Sequence, residues 1–80
     1  MKIKLFFKPG CPKCPSAKEL LEETGFNYEE YNIEEVNGLT EATYYGIAST
    51  PSILVLDEND NEQVIWKGEV PTKEDLTRWL

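Results

Sequence analysis

The stretch KLFFKPGCPKCPSAKELL, residues 4–21, limits what this chain can fold into more than any other part of it. Ile3, Leu5 and Phe7 alternate onto one face of residues 2–7 and Phe6 onto the other, as in a strand covered increasingly on both sides. Lys8-Pro9-Gly10 is a turn. Two cysteines, Cys11 and Cys14, follow at once, and Ala17, Leu20, Leu21 and Thr24 then recur at the spacing of one helix face, with Gly25 as the stop. A strand must therefore run through a Cys-x-x-Cys loop straight into a helix. Eighty residues leave room for one core, so residues 1–80 are expected to form one domain with any active site on its surface.

The remaining elements follow the same logic. Residues 26–33, FNYEEYNI, are aromatic-rich and read as a second strand, parallel to the first because a helix returns the chain. Leu39, Ala42, Thr43 and Gly46 predict a short helix over residues 37–46 with those residues inward. Ile53 to Leu56 is a continuous apolar run suited to a central strand. The polar DENDNE turn then leads to a short strand at 64–66, and the two pair as a hairpin. Thr72-Lys73-Glu74-Asp75 resembles a helix-start box, with Thr72 capping and Asp75 reaching back, before Leu76, Trp79 and Leu80. The expected fold class is α/β: a four-stranded mixed sheet flanked by three helices in the order β-α-β-α-β-β-α.

What the thiols do depends on their company. Zinc or an iron-sulfur cluster wants four ligands, and the chain has two cysteines and no histidine. A structural staple closing a loop of about four residues would contribute only about 2 kcal/mol. Redox exchange needs one attacking thiolate, one resolving thiol and a setting that favours the first as an anion. With Pro12 as the first helical residue, Cys11 would face the free amides and the positive end of the helix dipole and titrate below the usual thiol value of about 8.5, while Cys14 would be the more covered. Pro15 would bend that first turn.

Charge narrows the partners. Residues 1–18 hold five lysines and no acid, whereas residues 19–80 hold 15 acids against three bases, for a net charge of −7 overall. Such a chain is not expected to bind nucleic acid or an anionic membrane. Only Lys8, Lys13 and Lys18 can stand near the thiols. The apolar run at the N-terminus is Leu5-Phe6-Phe7, too short for a secretory signal or a membrane span, which predicts a cytoplasmic protein and a Cys-x-x-Cys pair used for catalysis or metal.

These patterns resemble the thioredoxin and glutaredoxin superfamily over nearly the whole chain. KLFFKPGCPKC is similar to the strand, turn and active-site loop of glutaredoxins, including Pro12 after the first cysteine and a lysine at the position of Lys8, which in glutaredoxins helps to bind glutathione. YYGIASTPSILVL, residues 44–56, resembles the segment with a cis proline beside the redox pair, here Thr50-Pro51. GEVPTKEDLTRWL resembles the end of a thioredoxin. The resemblance implies a small thiol-disulfide oxidoreductase that reduces protein disulfides, with Cys11 as nucleophile and Cys14 as resolving thiol. Its substrate groove would be bounded by Lys8, Pro12, Lys13, Thr50, Pro51 and Gly68, with the Thr50 backbone pairing with a partner polypeptide like an added strand.

The departures matter too. Gly10 replaces the tryptophan that precedes the first cysteine in thioredoxins, and Leu5 stands where they carry a buried acid. Gly68 is followed by Glu69-Val70-Pro71 rather than by the glycine and polar pair with which glutaredoxins hold glutathione. The expectation is a monomer with no bound cofactor or metal, reset by a reductant of the thioredoxin-reductase type rather than by glutathione. The alternative is a glutathione-dependent or iron-sulfur-bridging module of the glutaredoxin kind.

Overall fold

The computed structural model describes residues 1–80. Seven elements follow in the expected order: β1 (Lys2–Phe7), α1 (Cys14–Thr24), β2 (Glu29–Asn32), α2 (Val36–Tyr44), β3 (Ser52–Leu56), β4 (Glu62–Lys67) and α3 (Lys73–Thr77). The sheet is mixed, in the order β2-β1-β3-β4. β1 runs parallel to β2 and antiparallel to β3, and β3 and β4 form the hairpin.

Each face of the sheet has its own cluster. Ile3, Leu5, Ile53 and Val55 point toward α1 and α3, where Ala17, Leu20, Leu21 and Leu76 meet them. Phe6, Leu54 and Leu56 point the other way, toward Ala42 and Ile47. Every residue of β3 is buried, which explains its unbroken apolar run: a central strand between two helix layers has no face to give to water. Each fully buried Leu or Ile contributes about 1.5–3 kcal/mol. No helix is long and apolar enough to cross a membrane.

Several local expectations are revised. α1 begins at Cys14, with Lys13 at the N-cap and Pro15 in the first turn, where its missing amide costs no hydrogen bond. Pro12 therefore lies before the helix. Residues 26–28 stay outside β2, and Phe26 is exposed; with Glu29 and Glu30 facing water, this strand is a short sheet edge. α2 turns Gly38 and Ala42 inward rather than Leu39, Thr43 and Gly46, and Leu39 is exposed. Gly38 decides that orientation, because a Cβ there would collide with the Asn32 backbone, so the helix lies against the end of β2 through its bare glycine. Thr72 Oγ1 accepts from the Asp75 N–H at 3.1 Å as expected. The Asp75 carboxylate, however, lies 3.9 Å from Arg78 instead of reaching back.

Candidate active site

Three loops meet at one end of the sheet because of strand register. Phe6 aligns with Ser52, and Ser52 aligns with Lys67. The cysteine loop leaves β1 there, Thr50-Pro51 enters β3 there, and Gly68 follows β4 there.

Cys11 and Cys14 are joined as a disulfide with their Cα atoms 5.4 Å apart, within the usual Cα separation of bridged cysteines. The loop that closes it is built from backbone hydrogen bonds. The Cys11 N–H donates to the Lys8 carbonyl at 3.3 Å, and the Cys14 N–H donates to the Cys11 carbonyl at 3.4 Å. Although the helix starts later than expected, the bond holds the Cys11 sulfur against Cys14, the first residue of α1, so both sulfurs lie at the positive end of its dipole. The expected difference in cover is absent in this oxidised form: Cys11 is 6% exposed and Cys14 8%.

Lys8, Pro12 and Lys13 are exposed around the bridge, Thr50 is half-buried, and Pro51 is buried. The Thr50-Pro51 bond is cis, in agreement with the family pattern. Ser52, fully buried, ties two of the loops together: its hydroxyl donates to the Ser49 carbonyl at 2.8 Å and accepts from the Gly68 N–H at 3.3 Å. Gly68 has φ +71, and a Cβ there would stand 3.1 Å from Ser49 Oγ, so the turn needs both the left-handed backbone and the missing side chain. Ser52 was not singled out from the sequence. The available signal was a small hydroxyl residue directly ahead of the apolar ILVL run, where a buried polar group must find partners.

A cleft of about 290 Å³ opens beside the sulfurs, lined by Leu5, Phe7, Lys8, Gly10, both cysteines, Pro15, Lys18 and Glu30. Lys18 and Glu30 pair across it at 3.4 Å. Leu5 forms part of the apolar wall, where thioredoxins would place an acid; the carboxylate in this cleft comes instead from β2. No group of three or more histidine, cysteine, aspartate or glutamate side chains converges anywhere in the fold.

A larger hollow of about 800 Å³ contains neither cysteine and includes Lys4, Tyr31, Tyr45 and Glu41 among its lining residues. Lys4 is 8% exposed, lies 3.3 Å from Glu41, and sits over the rings of Tyr31 and Tyr45 at 5.4 and 5.2 Å. Burial opposes its charge, but Glu41 outweighs that and holds the ammonium above the ordinary lysine value. Burial likewise pushes up the Tyr31 hydroxyl. Size favours this hollow as a site; the chemistry favours the smaller cleft, which has the only two sulfurs capable of exchange.

Comparison with known proteins agrees with this geometry. A sequence profile described as a thioredoxin domain matches residues 1–80. The thioredoxin of Methanocaldococcus jannaschii is 36% identical over 80 residues, covering 95% of this chain and 87% of that protein. The crystal structure of a thioredoxin-like protein superposes with a TM-score of 0.73 at 25% identity, covering 98% of this chain and 99% of the other. The glutaredoxin-like NrdH-redoxin of Escherichia coli, described as having a thioredoxin-like activity profile, superposes with a TM-score of 0.68 at 24% identity over 98% of this chain and 93% of its own. At that identity the second likeness speaks to the fold.

Proposed function

Since the chain belongs to the thioredoxin family and is a thiol-disulfide oxidoreductase, we propose that it reduces disulfides of protein substrates by cycling between a Cys11/Cys14 dithiol and the Cys11–Cys14 disulfide. The observation that carries this reading is the closed Cys11–Cys14 pair at the mouth of the three-loop end.

The Cys11 thiolate attacks one sulfur of the partner disulfide. The partner bond breaks, a mixed disulfide forms, and the first partner thiolate leaves and takes up a proton. Cys14 then loses its proton and attacks the Cys11 sulfur, which re-forms Cys11–Cys14 and releases the second partner thiol. Two electrons pass from this chain to the partner. A reductant of the thioredoxin-reductase type restores the dithiol, and the setting is the cytoplasm, with the protein working as a monomer without a bound cofactor. Lys8, Pro12, Lys13, Thr50, Pro51 and Gly68 border the groove that receives the partner. Against glutathione as the reductant stands the Glu69-Val70-Pro71 run after Gly68, in which Pro71 has no amide to offer.

A redox titration in glutathione buffers, acid-quenched and read by intact mass after thiol alkylation, tests the proposal. Conversion to the internal disulfide within about −200 to −270 mV, the span from glutaredoxins to thioredoxin, is the expected result. A dominant glutathione adduct on Cys11, or thiols that resist oxidation until a metal is removed, would overturn it. A Cys11→Ser variant is expected to lose disulfide reduction altogether, and a Cys14→Ser variant to trap the mixed disulfide.

A further inference from the structure

Of the eight bases in the chain, four are neutralised within it: Lys2 by Asp60, Lys4 by Glu41, Lys18 by Glu30 and Arg78 by Asp75. Three of the other four, Lys8, Lys13 and Lys67, gather at the end of the sheet that carries the disulfide. Lys8 follows β1, Lys13 stands at the N-cap of α1, and Lys67 closes β4 opposite Ser52, with its ammonium near Gly46. All three are exposed. Neighbouring strands lie about 4.8 Å apart, so Phe6, Ser52 and Lys67 span about 10 Å. That backbone span is comparable to the screening length of about 8 Å at physiological salt, so lysines rooted at this end together bias the charge met by anything that docks there.

The rest of the chain has the opposite character. Without these three lysines it holds five bases against 15 acids, a net charge of −10. We propose that the preferred partner is a polypeptide whose disulfide lies in an acidic segment, with aspartate or glutamate flanking the cysteine that Cys11 attacks. This inference rests on the disulfide-reduction reading above and names its substrate class. An acidic partner is repelled by most of the surface and attracted where the three lysines stand, so encounters are biased toward the sulfurs. A basic partner is drawn to the other surfaces and held in unproductive orientations. Glu69, exposed beside Gly68, is a carboxylate on the same rim and weakens the patch.

The test uses the full chain, fully reduced and freed of reductant, in single turnover. Two synthetic peptides with the same internal disulfide, one flanked by glutamates and one by lysines, are compared with the neutral bis(2-hydroxyethyl) disulfide. The glutamate peptide is expected to be reduced about 10-fold faster than the lysine peptide at about 0.02 M salt, with the gap closing to about twofold or less at about 0.5 M. Lys8→Gln, Lys13→Gln and Lys67→Gln combined should erase the gap, the corresponding arginine triple should keep it, and Glu69→Gln should widen it. Equal rates for the two peptides with the native protein at low salt, or a gap that survives the glutamine triple, would overturn the inference. If the native protein reduces the neutral compound without discriminating between the peptides, the charge inference alone falls. If it leaves both peptides and the neutral compound intact, the disulfide-reduction reading falls and takes this inference with it. The salt series on the native protein decides the matter even if a triple variant fails to fold.

Discussion

Between the sheet and the α1 and α3 helices lies a cluster of eight buried residues, all aliphatic, four from the strands and four from the helices, whereas the α2 face holds a cluster of five, flanked by a buried lysine, its glutamate and two tyrosines. The first face is closed by an 11-residue helix with four buried positions. The second has a nine-residue helix with two, one of them a glycine. The resolving cysteine is mounted on the dry face, where α1 is fixed by shape. The other face is held partly by the Lys4–Glu41 pair and by the rings of Tyr31 and Tyr45, over which the lysine sits. Position of the sulfurs thus depends chiefly on packing, and the buried lysine–glutamate pair lies on the opposite face of the sheet.

The largest expected effect comes from breaking the dry face. Leu21→Ala should cost about 2–5 kcal/mol, with each kcal/mol lowering the midpoint by about 4–8 °C in a chain of this size. Urea or thermal unfolding measures it, and a loss below about 1 kcal/mol would mean that α1 is not fixed by its core. On the other face, Gly38→Ala should cost about 1–3 kcal/mol, because α2 must move away from Asn32. An unchanged midpoint would show that the face can yield without loss.

The Lys4–Glu41 pair sharpens the contrast. Glu41→Gln strands a lysine side chain that is only 11% exposed, while Lys4→Met leaves a carboxylate that is 31% exposed and can find water. The first should cost about 1–2 kcal/mol and the second less than about 1 kcal/mol. The sign of the pH effect follows from the direction of the shifts. Lys4 binds its proton more tightly folded than unfolded, so its contribution is complete below the ordinary lysine value and is lost as pH rises through the folded one. Tyr31 and Tyr28, both raised chiefly by burial, act in the same direction. Stability should therefore fall above about pH 10, and less steeply in Lys4→Met. Equal alkaline slopes for the two proteins would remove Lys4 from the account. The smallest effect is expected at Thr72→Ala, about 0.5–1 kcal/mol, because α3 is held chiefly by Leu76 and loses one capping bond.

The parts legible in the sequence were those decided by neighbours along the chain. The turn at Lys8-Pro9-Gly10, the stop at Gly25, the cap at Thr72 and the apolar run of β3 each announce themselves within a few residues. Cys11 and Cys14 could be singled out as a redox pair because the chain has no further cysteine and no histidine to join them at a metal. What was not legible depended on residues far away. Lys4 reads as the polar step of an alternating strand, and only the arrival of Tyr31, Glu41 and Tyr45 makes its burial possible. The inward face of α2 was misjudged because apolar side chains mark a core only when something faces them. Leu39 finds nothing there, while Gly38 finds a backbone. The start of α1 lies at Cys14 rather than at Pro12, because either proline suits a first turn and propensity does not choose between them.

The strand order places β1 and β3 in the middle of the sheet and leaves β2 and β4 as its margins. The cysteine loop is the continuation of β1, and Thr50-Pro51 leads directly into β3. Edge strands with water on one flank exchange their amide hydrogens through small local openings, whereas central strands open only when the whole domain does. The sulfurs and the proline opposite them are therefore tethered to the slowest-exchanging backbone in the molecule, and either margin can fray for a moment while the working end keeps its shape.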